Sequence, residues 1–394
     1  LLYDVSMPVK PLESLRLAHD LAEAALADRP LDPAQAQALL VDGESAVIEL
    51  PALVSAAYAV RREHFGDAVR VHVLNNAQNG HCPEDCAYCT QAKTSDADIN
   101  PYPLKSQDEM LAEARAAKDA GAHRYCMVFA GRGPSGSRTA KLAEAVKRIK
   151  AEVGIEVCVS AGLLDGDKAD VLAEAGVDRY NHNLNTSARN YATICSTHTY
   201  DDRKDTLAAA RGAGISLCSG LIVGMGETRA ELVELGRTLH ELQAESIPVN
   251  FLLPFEGNRM NRPVDLTPRY CLRVLCLFRL MCPRAEVRVA AGREHHLRSL
   301  EPVALQPANS LFLGGYLNAR GAEAQRLYGM LADSGFTLDA DAELTRLMQE
   351  TAQVATEANG SAVPLTCGAA QPQIKSREEL RPCHETSRAA EVVA

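Results

Sequence analysis

"AGAHRYCMVF", residues 120–129, sets a glycine in front of a run rich in aromatic and β-branched side chains. The segment before it, "SQDEMLAEARAAKDAG" (106–121), reads as a helix, opened by a Ser106/Glu109 capping box and stopped at Gly121. The same order returns at "VGIEVCVS" (153–160), "AGVDRYNHNL" (175–184) and "AGISLCSGLIV" (213–223), where Gly154, Gly176 and Gly214 take the place of Gly121. Further strands are predicted at "PVNFLL" (248–253), "EVRVA" (286–290) and "NSLFLGGYL" (309–317), with helical sequence between them. Counting "VHVLNN" (71–76) first gives about eight strand–helix units. Such alternation implies parallel strands and right-handed crossovers, and so an α/β fold, a (β/α)8 TIM-type barrel over residues 69–340.

Outside that span, residues 1–68 read as an N-terminal helical extension. Asp32 is the expected N-cap of a helix whose first residue is Pro33. Residues 341–394 read as a C-terminal helix followed, from about 354, by a flexible, disordered tail. That tail carries Cys367, Cys383 and His384; the reading favours a mobile tail over a metal tract.

Of the 394 residues, 46% are hydrophobic and 23% charged, enough to bury a large core. Basic residues number 41 against 51 acidic, and no basic stripe stands out, which argues against nucleic acid as a partner. No run of about 18 apolar residues marks a membrane span, and no leader sequence is visible. The composition suits a cytoplasmic enzyme acting on a small molecule. Its 12 cysteines then point to metal or redox chemistry more than to disulfides.

Cys82, Cys86 and Cys89 fall in "NGHCPEDCAYCTQ" (79–91), just past the first predicted strand, at the barrel face where chemistry on this fold is built. A structural zinc site wants four ligands. His81 is badly placed beside Cys82, and no second cysteine pair follows nearby. The spacing favours an iron–sulfur cluster, with zinc the standing alternative. Three thiolates on a four-iron cluster leave one iron without a protein ligand and free to bind a substrate.

Cys126, Cys158 and Cys218 follow helix-ending glycines by four or five residues and so fall within strands, as do Asn250 and Arg288. Each cysteine taken singly is an ordinary core residue. Burying a guanidinium without an anion or a metal–sulfur centre is costly, so Arg288 with three interior thiols suggests a second cluster. Cys195, Cys271, Cys276 and Cys282 have no partner pattern and read as structural.

Cys-x3-Cys-x2-Cys with Tyr88 before the last cysteine resembles the signature of the radical S-adenosylmethionine superfamily. A second pattern of that superfamily stands at Gly220, Ile222, Gly224 and Glu227; read locally, it is a strand–turn–helix junction with a Thr228/Glu231 capping box. "HCPEDCAYCTQ", "RYCMVFAGRGP", "EVCVSAG", "YNHNLNTS", "LCSGLIVGMGET", "PVNFL", "VRVAAGRE" and "ANSLFLGGYL" follow the order seen in the biotin synthase family, over roughly residues 35–340.

The resemblance implies radical insertion of sulfur into dethiobiotin to form biotin. It puts a 4Fe–4S cluster with S-adenosylmethionine on Cys82, Cys86 and Cys89, and a sulfur-donating auxiliary 2Fe–2S cluster on Cys126, Cys158, Cys218 and Arg288. It places Asn183, Asn185, Arg203 and Glu227 at S-adenosylmethionine, and Asn183 and Asn250 at dethiobiotin. Where the family usually has Asp, this chain has Asn185, so an amide replaces a carboxylate at the adenosyl ribose. Flavodoxin or ferredoxin as electron donor, iron–sulfur assembly proteins and a homodimer are further expectations.

Overall fold

The computed structural model describes residues 11–263, 266–340, 346 and 372–382. Cys367, Cys383 and His384 lie outside the described residues.

The repeating units form a closed barrel. Its strands are β1 (Ala68–Gln78), β2 (Arg124–Phe129), β3 (Glu156–Ser160), β4 (Arg179–Asn181), β5 (Ser216–Cys218), β6 (Leu221–Val223), β7 (Ser246–Phe251), β8 (Glu286–Val289) and β9 (Ser310–Leu313). All pair in parallel, and β1 closes the ring by pairing β9 as well as β2. β5 and β6 fill a single position, because the chain breaks at Ser219–Gly220. The cause lies in the neighbouring strand. Cys218 faces Ser246 and Leu221 faces Val249, which sets Gly220 opposite Pro248. Pro248 has no N–H for the ladder, and a Cβ on Gly220 would stand 2.0 Å from the Pro248 carbonyl oxygen.

The repeat signal is borne out in detail. Gly121, Gly154, Gly176 and Gly214 have φ between 68° and 88°, a left-handed turn that glycine adopts without cost between a helix and the next strand. Ser106 caps Gln107–Asp119 in a full capping box, and Thr228 does the same for Arg229–Glu241. Asp32 accepts from Ala34 N and Gln35 N at the start of Pro33–Leu39.

The helical extension comprises Pro11–Leu26, Pro33–Leu39 and Leu50–Phe65. The buried helix Pro268–Met281 anchors it: Arg273 donates to Leu39 O at 2.9 Å and Ile48 O at 3.0 Å, and its charge meets Asp42.

Two boundaries differ from expectation. "NSLFLGGYL" is not one strand, since β9 stops at Leu313 and Gly315 starts a hairpin of β10 (Gly315–Tyr316) and β11 (Ala319–Arg320). A short β12 (Thr337–Leu338) pairs with the start of β1. Residues 372–382 of the expected tail dock against this hairpin: Arg320 N donates to Gln373 O and Lys375 N to Asn318 O, both at 2.8 Å. Ser376 caps Arg377–Leu380, the Leu380 side chain is buried, and Arg381 Nε reaches Glu109 at 2.9 Å.

Candidate active site

At the C-terminal ends of the strands lies a cavity of about 240 Å³. The loop after β1 supplies one wall. Gly80 and His81 take left-handed φ values of 77° and 55°, turning the chain sharply after the strand. Gly80 N donates to Gln91 Oε1 at 3.0 Å, which closes the loop around the cysteines. Cys82, Cys86 and Cys89 all face this cavity. Burial raises the Cys82 thiol and holds Cys89 at about 11, while a hydrogen bond with Cys195 raises Cys86. Without a metal these are thiols; ligation must displace their protons.

The opposite wall is built from β4 and the loop beyond it. Asn183, Asn185, Arg203 and Asn250 line the cavity too, so it gathers most of the polar residues singled out in the sequence. The Asn183 carbonyl accepts from Arg203 Nη1 at 2.8 Å, and Asn183 Oδ1 accepts from Gly220 N at 3.0 Å. Asn185 Nδ2 donates to Tyr88 Oη at 2.7 Å. Arg203 also donates to Tyr191 Oη and to His198 Nε2. Asn250 bridges strands, with Nδ2 on Leu221 O and Oδ1 on Ala291 N. Glu227 stands apart: its carboxylate accepts from Gly224 N at 2.7 Å and Met225 N at 2.9 Å, which closes the turn after β6.

Deeper in the barrel, Cys126, Cys158 and Cys218 pack together with Ala290 and Phe312. Cys126 and Cys158 are register partners on β2 and β3, and the neighbouring Cys126 and Cys218 thiols, with burial, hold the Cys158 thiol well above its ordinary range. Arg288 Nη1 lies 3.7 Å from Cys218 Sγ, and Asn181 Nδ2 lies 3.2 Å from the same sulfur. Val128, Ser160, Asn181 and Tyr316 border both this pocket and the larger cavity, so the two thiol sets sit one behind the other.

Charge organises the interior set. Glu286 meets Arg288 directly, His72 at 2.9 Å and Arg124 at 3.3 Å. Burial opposes its ionisation, but Arg124, Arg288 and His72 outweigh it and hold the carboxyl well below its usual range. Burial likewise opposes charge on Arg288, and Glu286, Cys218 and Cys126 reverse that. Burial, with the Arg288 charge, keeps His72 neutral.

Arg288 Nε is buried with no hydrogen-bond partner. An unpartnered N–H donor beside three soft thiols fits a metal–sulfur centre, whose bridging sulfides accept hydrogen bonds and whose irons prefer thiolate ligands.

Residues 79–239 match the radical SAM superfamily, and residues 248–337 match the Biotin and Thiamin Synthesis associated domain. The chain is 52% identical over 312 residues to a biotin synthase of Acaryochloris marina, covering 79% of this chain and 90% of that one. A biotin synthase of Magnetococcus marinus is 51% identical, covering 81% and 98%. The chain belongs to the biotin synthase family. Its reaction is sulfur insertion into dethiobiotin, and its cofactors are S-adenosylmethionine, a 4Fe–4S cluster and a 2Fe–2S cluster. Among solved structures, methylornithine synthase (TM-score 0.70, 19% identity, 84% of this chain and 99% of that one) shares the fold. So does the FeFe-hydrogenase maturase of Carboxydothermus hydrogenoformans (TM-score 0.70, 18% identity, 87% and 88%).

Several residues of this family member's site had no reading in the sequence. Glu286 sits two residues before Arg288, and strand alternation alone puts both on one face. Tyr316 and Asn318 reach the cavity from the β10–β11 hairpin, where Asn318 Nδ2 donates to Asn79 Oδ1 and Thr90 Oγ1. Cys195, read as structural, lies 3.8 Å from Cys86 and 2.7 Å from His198. Only the short spacing of Cys195 and His198 hinted at it.

Proposed function

We propose that Cys82, Cys86 and Cys89 ligate the four-iron cluster and that Cys126, Cys158, Cys218 and Arg288 ligate the two-iron cluster. Bound there, the first would supply the electron for reductive cleavage of S-adenosylmethionine, and the second would supply the sulfur atom. The chain's own work is binding, orientation and exclusion of water. Arg203, fixed by Tyr191, His198 and the Asn183 carbonyl, offers its positive charge to the methionyl carboxylate. Asn185 and Asn183 offer amides to the ribose. Asn183 and Asn250 offer uncharged donors and acceptors to the ureido ring of dethiobiotin. Glu227 acts on the cofactor pocket through the turn it closes, shaping the backbone at Gly224 and Met225. The hairpin with Tyr316 and Asn318 keeps water from the junction of the two sets.

The observation that supports this reading is the unpartnered Arg288 Nε, on a guanidinium whose Nη1 lies 3.7 Å from Cys218 Sγ where Cys126 and Cys158 also pack. Arg288→Met and Arg288→Ala test it: a changed visible spectrum of the auxiliary cluster is expected, and an unchanged one removes Arg288 from the ligand set. In a single anaerobic turnover, biotin is expected to form at a level near the auxiliary-cluster content. Deoxyadenosine without biotin would retain the radical step and reject the substrate assignment.

Residues 69–340 form the catalytic unit in this reading, with 1–68 and 341–394 as appendages. Flavodoxin or ferredoxin as the reductant, iron–sulfur assembly proteins as cluster source, a homodimer and a cytoplasmic setting complete the proposal. It is supported by the family's reaction, which needs low-potential electrons and a renewed sulfide supply.

A further inference from the structure

A third group of metal-binding side chains converges beside the radical loop. It forms where the chain leaves the helix Ala188–Ile194. Cys195 Sγ lies 3.8 Å from Cys86 Sγ and 2.7 Å from His198 Nδ1, and His198 Nε2 lies 4.0 Å from Cys86 Sγ. One ligand atom from each residue falls within 4.8 Å of the other two, and all three residues are buried.

The sulfur spacing is informative. Two thiolates on one tetrahedral ion, with metal–sulfur bonds of about 2.3 Å, stand about 3.8 Å apart. Cys86 and Cys195 are already at that distance. Cysteines on different irons of a cluster stand farther apart, because the iron–iron separation lies between them. This pair therefore suits one ion and not two corners of a cluster. Oxygen donors stand ready for the remaining position: Asp85 Oδ1 is 3.3 Å from Cys195 Sγ, and Glu84 Oε2 is 3.8 Å from His198 Nδ1. Asp85 is held in place by Ser196 N at 2.9 Å and by Thr197 Oγ1 at 3.1 Å.

We propose that, while the four-iron cluster is missing, Cys86, Cys195 and His198 bind a single thiophilic divalent metal ion. The two thiols lose their protons to solvent as the ion enters, and the imidazole contributes one nitrogen lone pair. Cys86 cannot serve this ion and the cluster together, so each excludes the other. That exclusion alone rests on the ligand assignment made above for Cys86. The site gives the empty loop a way to hold its first metal. It also gives zinc a foothold that blocks cluster assembly, since zinc binds such donor sets strongly and does not take part in redox chemistry.

The test uses cobalt(II) on the 394-residue chain, purified anaerobically without metal. A thiolate-bound tetrahedral cobalt ion shows a sulfur-to-metal charge-transfer band and intense visible bands. Wild type, Cys89→Ala and Cys126→Ala are expected to show them at one equivalent; Cys195→Ala is expected to lose them and His198→Ala to shift them. Cys195→Ala is also expected to take up iron and sulfide to the wild-type level, which shows that it folds. Wild type already loaded with its four-iron cluster is expected to show no cobalt bands. Bands that survive Cys195→Ala overturn the proposal. So does their loss in Cys89→Ala or Cys126→Ala, which would put the ion on the loop triad or the interior thiols. Should Cys195→Ala fail to build the loop cluster while Cys89→Ala succeeds, the ligand assignment falls and takes the exclusion with it.

Discussion

Glu286 and Arg288 lie on the same face of β8 and meet inside the barrel, where the one carboxylate answers Arg288, Arg124 at 3.3 Å and Arg70 at 3.7 Å. Removing that anion leaves the buried Arg288 without a carboxylate, whereas Arg124 keeps Glu156 at 2.8 Å and Arg70 keeps Asp339 at 2.7 Å. Glu286→Gln is expected to lower folding stability by about 3–5 kcal/mol, the usual result of breaking a buried ion pair from one side. The measurement is the urea midpoint of the chain without clusters; a midpoint within error of wild type would refute it.

Glu286 also predicts a pH dependence. Its carboxyl is depressed below the ordinary 4.5 in the folded state. Its contribution is therefore complete above that value and is lost as pH falls through the folded-state value. Wild type should lose stability on acidification more steeply than Glu286→Gln between about pH 5 and pH 3. Parallel slopes for the two proteins would contradict the assignment of a depressed carboxyl.

Cys158 packs with Cys126 and Cys218 inside the barrel and is the register partner of Cys126. Cys158→Ala is expected to abolish the auxiliary cluster while sparing the loop cluster, so iron and sulfide per chain fall by the two-iron share alone. Reductive cleavage of S-adenosylmethionine should persist and biotin formation should stop. Iron content equal to wild type would leave the interior thiols as ordinary core residues.

Asn185 donates to Tyr88 Oη at 2.7 Å, and the proposed function sets its amide at the adenosyl ribose. Asn185→Asp turns a neutral hydrogen bond to the ribose into a charge-assisted one. S-adenosylmethionine is expected to bind about fivefold more tightly, a gain near 1 kcal/mol. Equal affinities by equilibrium dialysis would mean that residue 185 does not touch the cofactor.

Residues 372–382 brace the hairpin that carries Asn318 over the cavity. A chain ending at residue 371 is expected to show a KM for dethiobiotin raised severalfold, with kcat less affected, because binding depends on the wall that the hairpin forms. An unchanged KM would show that the hairpin holds its position unaided.

What the sequence made legible was local. Helix caps at Asp32, Ser106 and Thr228 are decided within four residues, and each has the hydrogen bonds its pattern foretold. The positions of Cys126, Cys158 and Cys218 could be read because a glycine-ended helix fixes where each of their strands begins. The features that escaped are those that need two distant segments at once. The break between β5 and β6 depends on Pro248 facing Gly220, and nothing near Gly220 announces it. Cys195 reaches Cys86 across 109 residues. The hairpin inside "NSLFLGGYL" has its reason at residues 373–375, which pair with it from far along the chain.

Barrel closure has a consequence for biosynthesis. β1 finds its second neighbour only in β9, and the hairpin over the mouth finds its brace only at residues 372–382. A ribosome must therefore deliver the chain as far as β9 to close the barrel, and as far as residues 372–382 to brace the hairpin over the mouth. Cys82, Cys86 and Cys89 are made long before Arg288 and wait for it. On the proposed ligand assignment, loading of the inner cluster thus follows the synthesis of β9, whereas the outer loop meets metals as soon as it leaves the ribosome.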